Sequence, residues 1–290
     1  MSSPRVCFIV GCARSGTSIL GELIGAHPEV TYVWEAHWVW EQVGHGPNGS
    51  HRYTAGYATP RVKNAIRDLF SRLQRNGRVV VEKCPRNVLR VPFLKALFPE
   101  AKIIHIVRDG RDVACSLMPG IGGEKWRHLK PVNWRNLMSD YTGITRCALA
   151  WKGIVETALA DLAGVLHLQI RYEDLVAAPH LAAQTIFEYL GLALHPAVLG
   201  FCHNIRDRTA SSYHARGQVK WYRDNHSKRV GRWRENLGRE EQRLMTSLLA
   251  PTLRWLGYTV QPAAFADGTG PLPIGELNLD VKPTRAPSPG

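Results

Sequence analysis

Three short stretches carry residue types that can handle an anion and a proton together. The first is Gly11-Cys12-Ala13-Arg14-Ser15-Gly16-Thr17-Ser18, which follows the apolar run 6–10 and precedes a helical pattern. A glycine-bounded loop between a strand and a helix aims backbone N–H groups at one point, and the helix dipole adds positive potential there. The second is Val107-Arg108-Asp109-Gly110-Arg111-Asp112, with Ser116 in the helix that follows. Arg108 offers a charged fork to an oxyanion and Ser116 a neutral donor. The third is Val81-Glu82-Lys83-Cys84-Pro85-Arg86, whose lysine leaves the end of another apolar run. To these is added Glu35, beside Trp34 and Trp38. A carboxyl in apolar surroundings is expected to have a raised pKa, as suits a general base near neutral pH. Held together, these groups fix an anion, stabilise a departing negative charge and take up a proton.

Such residues need a frame, and the apolar pattern predicts one. Short β-branched runs at 6–10, 79–81, 102–107 and 165–170 alternate with amphipathic stretches at about 16–26, 87–98, 111–118, 143–162 and 239–256. This alternation predicts an α/β fold: a single P-loop-like domain with a central parallel β-sheet flanked by helices on both faces. The loop at 11–18, Lys83 and Arg108 then all leave carboxyl ends of strands, where open α/β sheets take ligands. The domain is expected to cover residues 1–260. Residues 261–290 hold six prolines and four glycines without helical or strand period, and are expected to form an extended or disordered tail. Two stretches, 44–60 and 118–133, are rich in glycine and read as irregular.

Of 290 residues, 44% are hydrophobic, which excludes a chain disordered throughout. Lys and Arg number 37 against 24 Asp and Glu, a formal net charge of +13 that calls for a polyanionic partner. Residues 203–234 concentrate that charge, with nine Lys or Arg against Asp207 and Asp224. No apolar run approaches the roughly 20 residues that span a bilayer, and no signal peptide is recognised. The six cysteines lie far apart without a Cys-x-x-Cys pair, so unpaired thiols and a reducing cytoplasm are expected.

The loop spacing is similar to the Walker A pattern G-x-x-x-x-G-K-[ST], except that Thr17 stands at the lysine position and the cation is Arg14 inside the loop. Taken together, the two arginine motifs resemble the PAPS-dependent sulfotransferase family. That family pairs a loop like R-S-G-T-[ST] with R-D-x-x-x-x-x-x-S some ninety residues later, and Arg108 follows Arg14 at that spacing. The resemblance runs from Val6 to about Tyr258. It implies that Arg14, Ser15, Gly16, Thr17 and Ser18 hold the 5′-phosphosulfate of PAPS, and that Arg108 and Ser116 hold the 3′-phosphate. Arg171-Tyr172-Glu173-Asp174-Leu175 looks like the R-Y-E-D-L stretch near the nucleotide. Lys228, Arg229, Gly231, Arg232 and Trp233 look like the late basic loop that closes over the adenosine.

The same resemblance implies the catalytic roles. Glu35 falls where the tyrosylprotein-sulfotransferase branch keeps its base, and bacterial relatives carry E-K-T-P where this chain has Glu82-Lys83-Cys84-Pro85. The cytosolic small-molecule branch has K-T-H, with histidine as base; here Pro85 occupies that third position and accepts no proton. Lys83, assisted by Arg14, is then the cation at the leaving oxygen, with His37 and His105 as second choices for the base. PAPS is the donor substrate and PAP the product, with no metal expected. The acceptor is a hydroxyl on a sugar, lipid-linked, phenolic or peptide molecule; nucleic acid is an unlikely partner. Trp34, Trp38, Trp40, Tyr32, Tyr53, Trp126 and Trp134 are the aromatics available to it, and 44–60 is a candidate mobile lid. Two other readings stay open: a P-loop nucleotide kinase or nucleotidase, and a non-enzymatic polyanion-binding protein.

Overall fold

The computed structural model describes residues 4–40, 43–74, 78–118, 126–205 and 226–260. Five strands, β1 (Val6–Val10), β2 (Val30–Trp34), β3 (Val79–Lys83), β4 (Lys102–Val107) and β5 (Leu168–Arg171), form one parallel sheet in the order β2-β3-β1-β4-β5. The interior strands β1 and β3 are buried along their whole length, as continuous apolar runs covered on both faces must be. Because β1 lies between β3 and β4, the loop after β1, Lys83 at the end of β3 and Arg108 after β4 emerge side by side. That strand order assembles the site.

Alternation divides the side chains between two cores. Val6, Phe8 and Val10 face one core, and Cys7 and Ile9 the other. The first is covered by α3 (Pro60–Leu73), α4 (Val91–Leu97), α5 (Gly110–Leu117), α7 (Gly143–Leu162) and α12 (Arg239–Trp255). The second is covered by α1 (Thr17–Gly25), α8 (Tyr172–Ala177), α9 (Pro179–Leu190) and α10 (Pro196–Asn204). In α7 the stripe from Ile144 through Trp151 to Leu162 is buried as its spacing predicts. A Cβ on Gly110 would lie 2.5 Å from the Trp151 ring, so only glycine lets α5 start this close to α7 and just after Arg108.

Three details differ from the sequence expectation. The strand β2 was missed: its residues are mostly half-buried at the sheet edge, so its apolar run is too mixed to stand out. The helix expected over 87–98 is two pieces, a 3-10 turn at Pro85–Leu89 and then α4, because Pro92 in the first turn of α4 cannot donate a backbone hydrogen bond. The strand expected over 165–170 begins only at Leu168, since Val165 closes the turn after α7. All six cysteines are buried and stand outside any disulfide, and no helix among the described residues is long and apolar enough to cross a membrane. The expected tail, 261–290, lies outside the described residues.

Candidate functional site

At one end of the site the loop after β1 is wound tightly by two left-handed residues, Arg14 (φ 75°) and Gly16 (φ 95°). Gly16 is obligatory, for a Cβ there would sit 2.4 Å from the Tyr172 ring. This winding turns Arg14 so that its Nε donates to Ser116 Oγ at 2.8 Å. Its carbonyl accepts from Arg108 Nη1 at 3.1 Å, and Arg108 Nη2 donates to the Arg229 carbonyl at 2.5 Å. The Arg108 guanidinium also stacks 4.5 Å from the Tyr172 ring, whose hydroxyl lies 2.8 Å from His226 Nδ1. Burial opposes charge on Arg108, but Asp112, 3.6 Å away, and Glu173 hold it protonated. Two buried polar atoms at this end, Arg108 Nε and Ser15 Oγ, have no hydrogen-bond partner among the described residues. A cleft runs between Arg14, Gly16, Thr17 and Ser18 on one side and Arg108, Tyr172, His226 and Arg229 on the other. Two guanidinium groups, unpartnered donors and a helix start facing one cleft fit a ligand with several phosphate-like groups.

The late basic segment is fastened by one carboxylate. Asp112 accepts from the Gly231 N–H at 2.8 Å and from the Trp233 N–H at 3.0 Å. Gly231 is left-handed (φ 75°), and Trp233 is buried between Arg111 and Arg234 at the start of α11 (Trp233–Asn236). These two residues therefore frame the loop, while Arg229 reaches the cleft. Arg232 is the residue before α11 and is partly exposed; the Lys228 side chain lies outside the described residues.

At the other end of the loop, Lys83 is fully buried and its Nζ donates to Glu35 Oε1 at 2.6 Å and to Ser18 Oγ at 3.3 Å. The same nitrogen lies 4.9 Å from the centre of the Trp34 ring. The Glu35 N–H donates to the Lys83 carbonyl at 2.7 Å, extending the β2–β3 ladder by one residue, and Glu35 is itself left-handed (φ 44°). Its second oxygen lies 3.5 Å from Nε2 of His37, which opens α2 (His37–Trp40). The expected rise in the Glu35 pKa is corrected here. Burial does push it up, but the His37 hydrogen bond and the Lys83 ammonium outweigh this and bring it down to about 2. The rings expected to isolate it face outward instead, with Trp34 47% and Trp38 50% exposed.

The structure thus brings Arg14, Gly16, Thr17, Ser18, Arg108, Tyr172 and Arg229 around one cleft, leaves Ser15 buried in the loop and Ser116 reached through Arg14, and sets Lys83 and Glu35 against Ser18. Arg14 leans toward Ser116 and Arg108. His105 lies in the core of β4, where burial pushes its pKa down to about 3. Of the aromatics, Trp40 and Tyr53 belong to the core and Trp134 is nearly buried, which leaves Trp34 and Trp38 as the exposed pair near Glu35; the Trp126 side chain lies outside the described residues. The candidate lid is stitched down: His51 exchanges backbone and ring hydrogen bonds with Lys130, Arg90 donates to the His51 carbonyl, Arg52 pairs with Asp161, and Trp134 donates to the Asn48 carbonyl. Sequence reasoning assigned no site role to His226, Glu82 or Asp112. Nothing local marks them, because their partners are distant in the chain.

A family model described as "Sulfotransferase family" matches residues 6–196. The chain is 28% identical over 282 residues to the nodulation protein NoeE of Sinorhizobium fredii, covering 88% of this chain and 66% of that protein. It is 25% identical over 215 residues to protein-tyrosine sulfotransferase A of Caenorhabditis elegans, covering 68% of this chain and 52% of that protein. The chain therefore spans between half and two thirds of the length of these relatives. Among solved structures, the sulfotransferase domain from the curacin biosynthetic pathway has the same fold, with a TM-score of 0.60 at 18% identity over 89% of this chain and 99% of that one.

Proposed function

As a chain that belongs to the sulfotransferase family, this protein is one for which we propose a specific reaction: transfer of the sulfuryl group of PAPS to a hydroxyl acceptor. The observation that carries this reading is the pair of contact sets at the two ends of the loop from Arg14 to Ser18, Arg108 and Ser116 with Arg14 at one end and Lys83 with Ser18 and Glu35 at the other. Anion-binding groups lie at one end and a cation–carboxylate pair at the other. A nucleotide kinase, a nucleotidase or a polyanion binder is not favoured by family membership.

When bound, PAPS supplies a sulfuryl group on an oxygen whose departure leaves negative charge. Arg108 and Ser116 bind the 3′-phosphate, with Tyr172 behind the Arg108 guanidinium. The loop from Arg14 to Ser18 takes the 5′ end through its backbone N–H groups and hydroxyls. Arg229, Gly231, Arg232 and Trp233, with Lys228, form the closing loop over the adenosine side. Lys83 neutralises the leaving oxygen, while Arg14, whose Nε donates to Ser116, stands on the 3′-phosphate side. Glu35 takes the proton of the acceptor hydroxyl.

A carboxylate with a pKa of about 2 is a weak base, and its resting partner explains how it becomes a stronger one. Lys83 serves both ends: when it exchanges Glu35 for the charge of the donor, its charge and hydrogen bond no longer hold the Glu35 pKa down, the His37 hydrogen bond alone opposes burial, and the proton affinity of Glu35 rises. The base is armed by the arrival of the donor. The six free thiols support a cytoplasmic setting.

The test is selective binding at the Arg108 end. Calorimetry should find 3′,5′-adenosine bisphosphate bound about tenfold or more tightly than 5′-AMP, the size of one charge-assisted hydrogen bond or more. Equal affinities would overturn the reading.

A further inference from the structure

One residue before Lys83, the same strand buries a second carboxylate. Adjacent strand residues point to opposite faces, so Lys83 reaches Glu35 while Glu82 turns into the core. Glu82 is 0% exposed and has no ion-pair partner within 4 Å among the described residues. Its surroundings are apolar: it stands opposite Phe8 and Val33 in the sheet, and burial pushes its pKa up to about 7 against Trp40, Lys83, Arg90 and the Ala36 N–H. An apolar side chain would fill this place without the cost of burying a carboxyl.

What the carboxyl holds gives the reason for its presence. Its Oε2 accepts from Asn87 Nδ2 at 2.7 Å and its Oε1 from Trp40 Nε1 at 3.4 Å, and the backbone N–H of Ala36 stands close enough to favour its charged form. Ala36 directly follows Glu35, Trp40 ends α2, and Asn87 lies in the turn just after Lys83 and Cys84. The three contacts therefore tie the segment that presents Glu35 to the segment that presents Lys83. Glu35 also needs holding, because a left-handed backbone strains a non-glycine residue and persists only where neighbours enforce it. We propose that Glu82 is a positioning residue, a clamp beneath the Glu35–Ala36 turn that sets the Glu35 carboxylate against Lys83. Its importance for catalysis rests on Glu35 and Lys83 being the reacting pair.

The clamp can be read without an acceptor. In the full chain labelled with carboxyl-13C glutamate, the Glu35 signal is identified by its loss in Glu35→Gln and followed against pH. In the parent it should stay ionised to the lowest pH at which the chain is folded. In Glu82→Gln, where an NH2 replaces an acceptor facing N–H donors, the Glu35 titration should move up by about one pH unit toward the ordinary carboxylate range. Affinity for 3′,5′-adenosine bisphosphate should stay within about twofold, because Arg108 and Ser116 do not depend on this turn. Glu82→Met, which suits the apolar surroundings, provides a second folded variant with the same expectation. An unmoved Glu35 titration in either folded variant overturns the clamp, as does an equal loss of nucleotide affinity, which would mark Glu82 as a general support of the fold. The base role of Glu35 stands or falls separately, on the turnover of Glu35→Gln.

Discussion

The two ends of the cleft are built differently. At the donor end, charged groups are buried and tied to backbone: Arg108 donates to two carbonyls, and Asp112 receives two N–H groups. At the transfer end, a single ion pair between Lys83 and Glu35 does most of the holding, and half-exposed Trp34 and Trp38 stand beside it. A rigid donor end fixes what must bind in one way. A transfer end held by one exchangeable pair can change its charge arrangement when the donor enters.

If the ends are separable in this way, mutations should divide them. The largest effect is expected at the transfer end: Glu35→Gln should lower turnover by on the order of 10²–10⁴-fold while affinity for 3′,5′-adenosine bisphosphate is not weakened. Steady-state rates and calorimetry on the same preparation check this, and full activity would move the base elsewhere. Next comes Arg108→Ala, which should weaken that affinity by about 1.5–3 kcal/mol, the scale of hydrogen bonds to a charged group. An unchanged dissociation constant would remove Arg108 from the site. Gly16→Ala places a Cβ against Tyr172 in a left-handed residue, and should cost about 1–3 kcal/mol of stability in urea unfolding. A neutral result would mean that the loop is looser than its geometry implies.

The smallest effect is a pH dependence. The Glu35 pKa is depressed from an unfolded value of about 4.3 to about 2. Its contribution to stability is therefore complete above the unfolded value and is lost as pH falls toward the folded one. The stability difference between parent and Glu35→Gln should shrink across that window, as followed by thermal melts. A constant difference would mean that the Lys83 pair does not govern Glu35.

The donor end was also the more legible in the sequence. Arg14 to Ser18 and Arg108 to Ser116 are short motifs next to β1 and β4, buried strands rich in β-branched residues, so local pattern locates both. Pro85 was informative as well, since it cannot act as a base where another branch has histidine. The transfer end was legible only as residue types. Glu35 follows β2, an edge strand too mixed to recognise, and the direction of its pKa shift depends on the turn that brings His37 back to it and on Lys83, 48 positions away. The bonds from Asp112 to Gly231 and from Glu82 to Trp40 likewise join distant residues, and only the folded sheet brings them together.

The central claim is sulfuryl transfer, and the most direct measurement uses PAPS carrying labelled sulfur. The purified chain is incubated with it and a panel of sugar, phenolic, lipid-linked and peptide hydroxyl acceptors, and the products are read by mass spectrometry. A labelled sulfo group on at least one acceptor, with release of PAP and loss of both in Glu35→Gln, is the predicted result. Binding of PAPS with no transfer to any member of the panel, together with magnesium-dependent turnover of ATP, would contradict it.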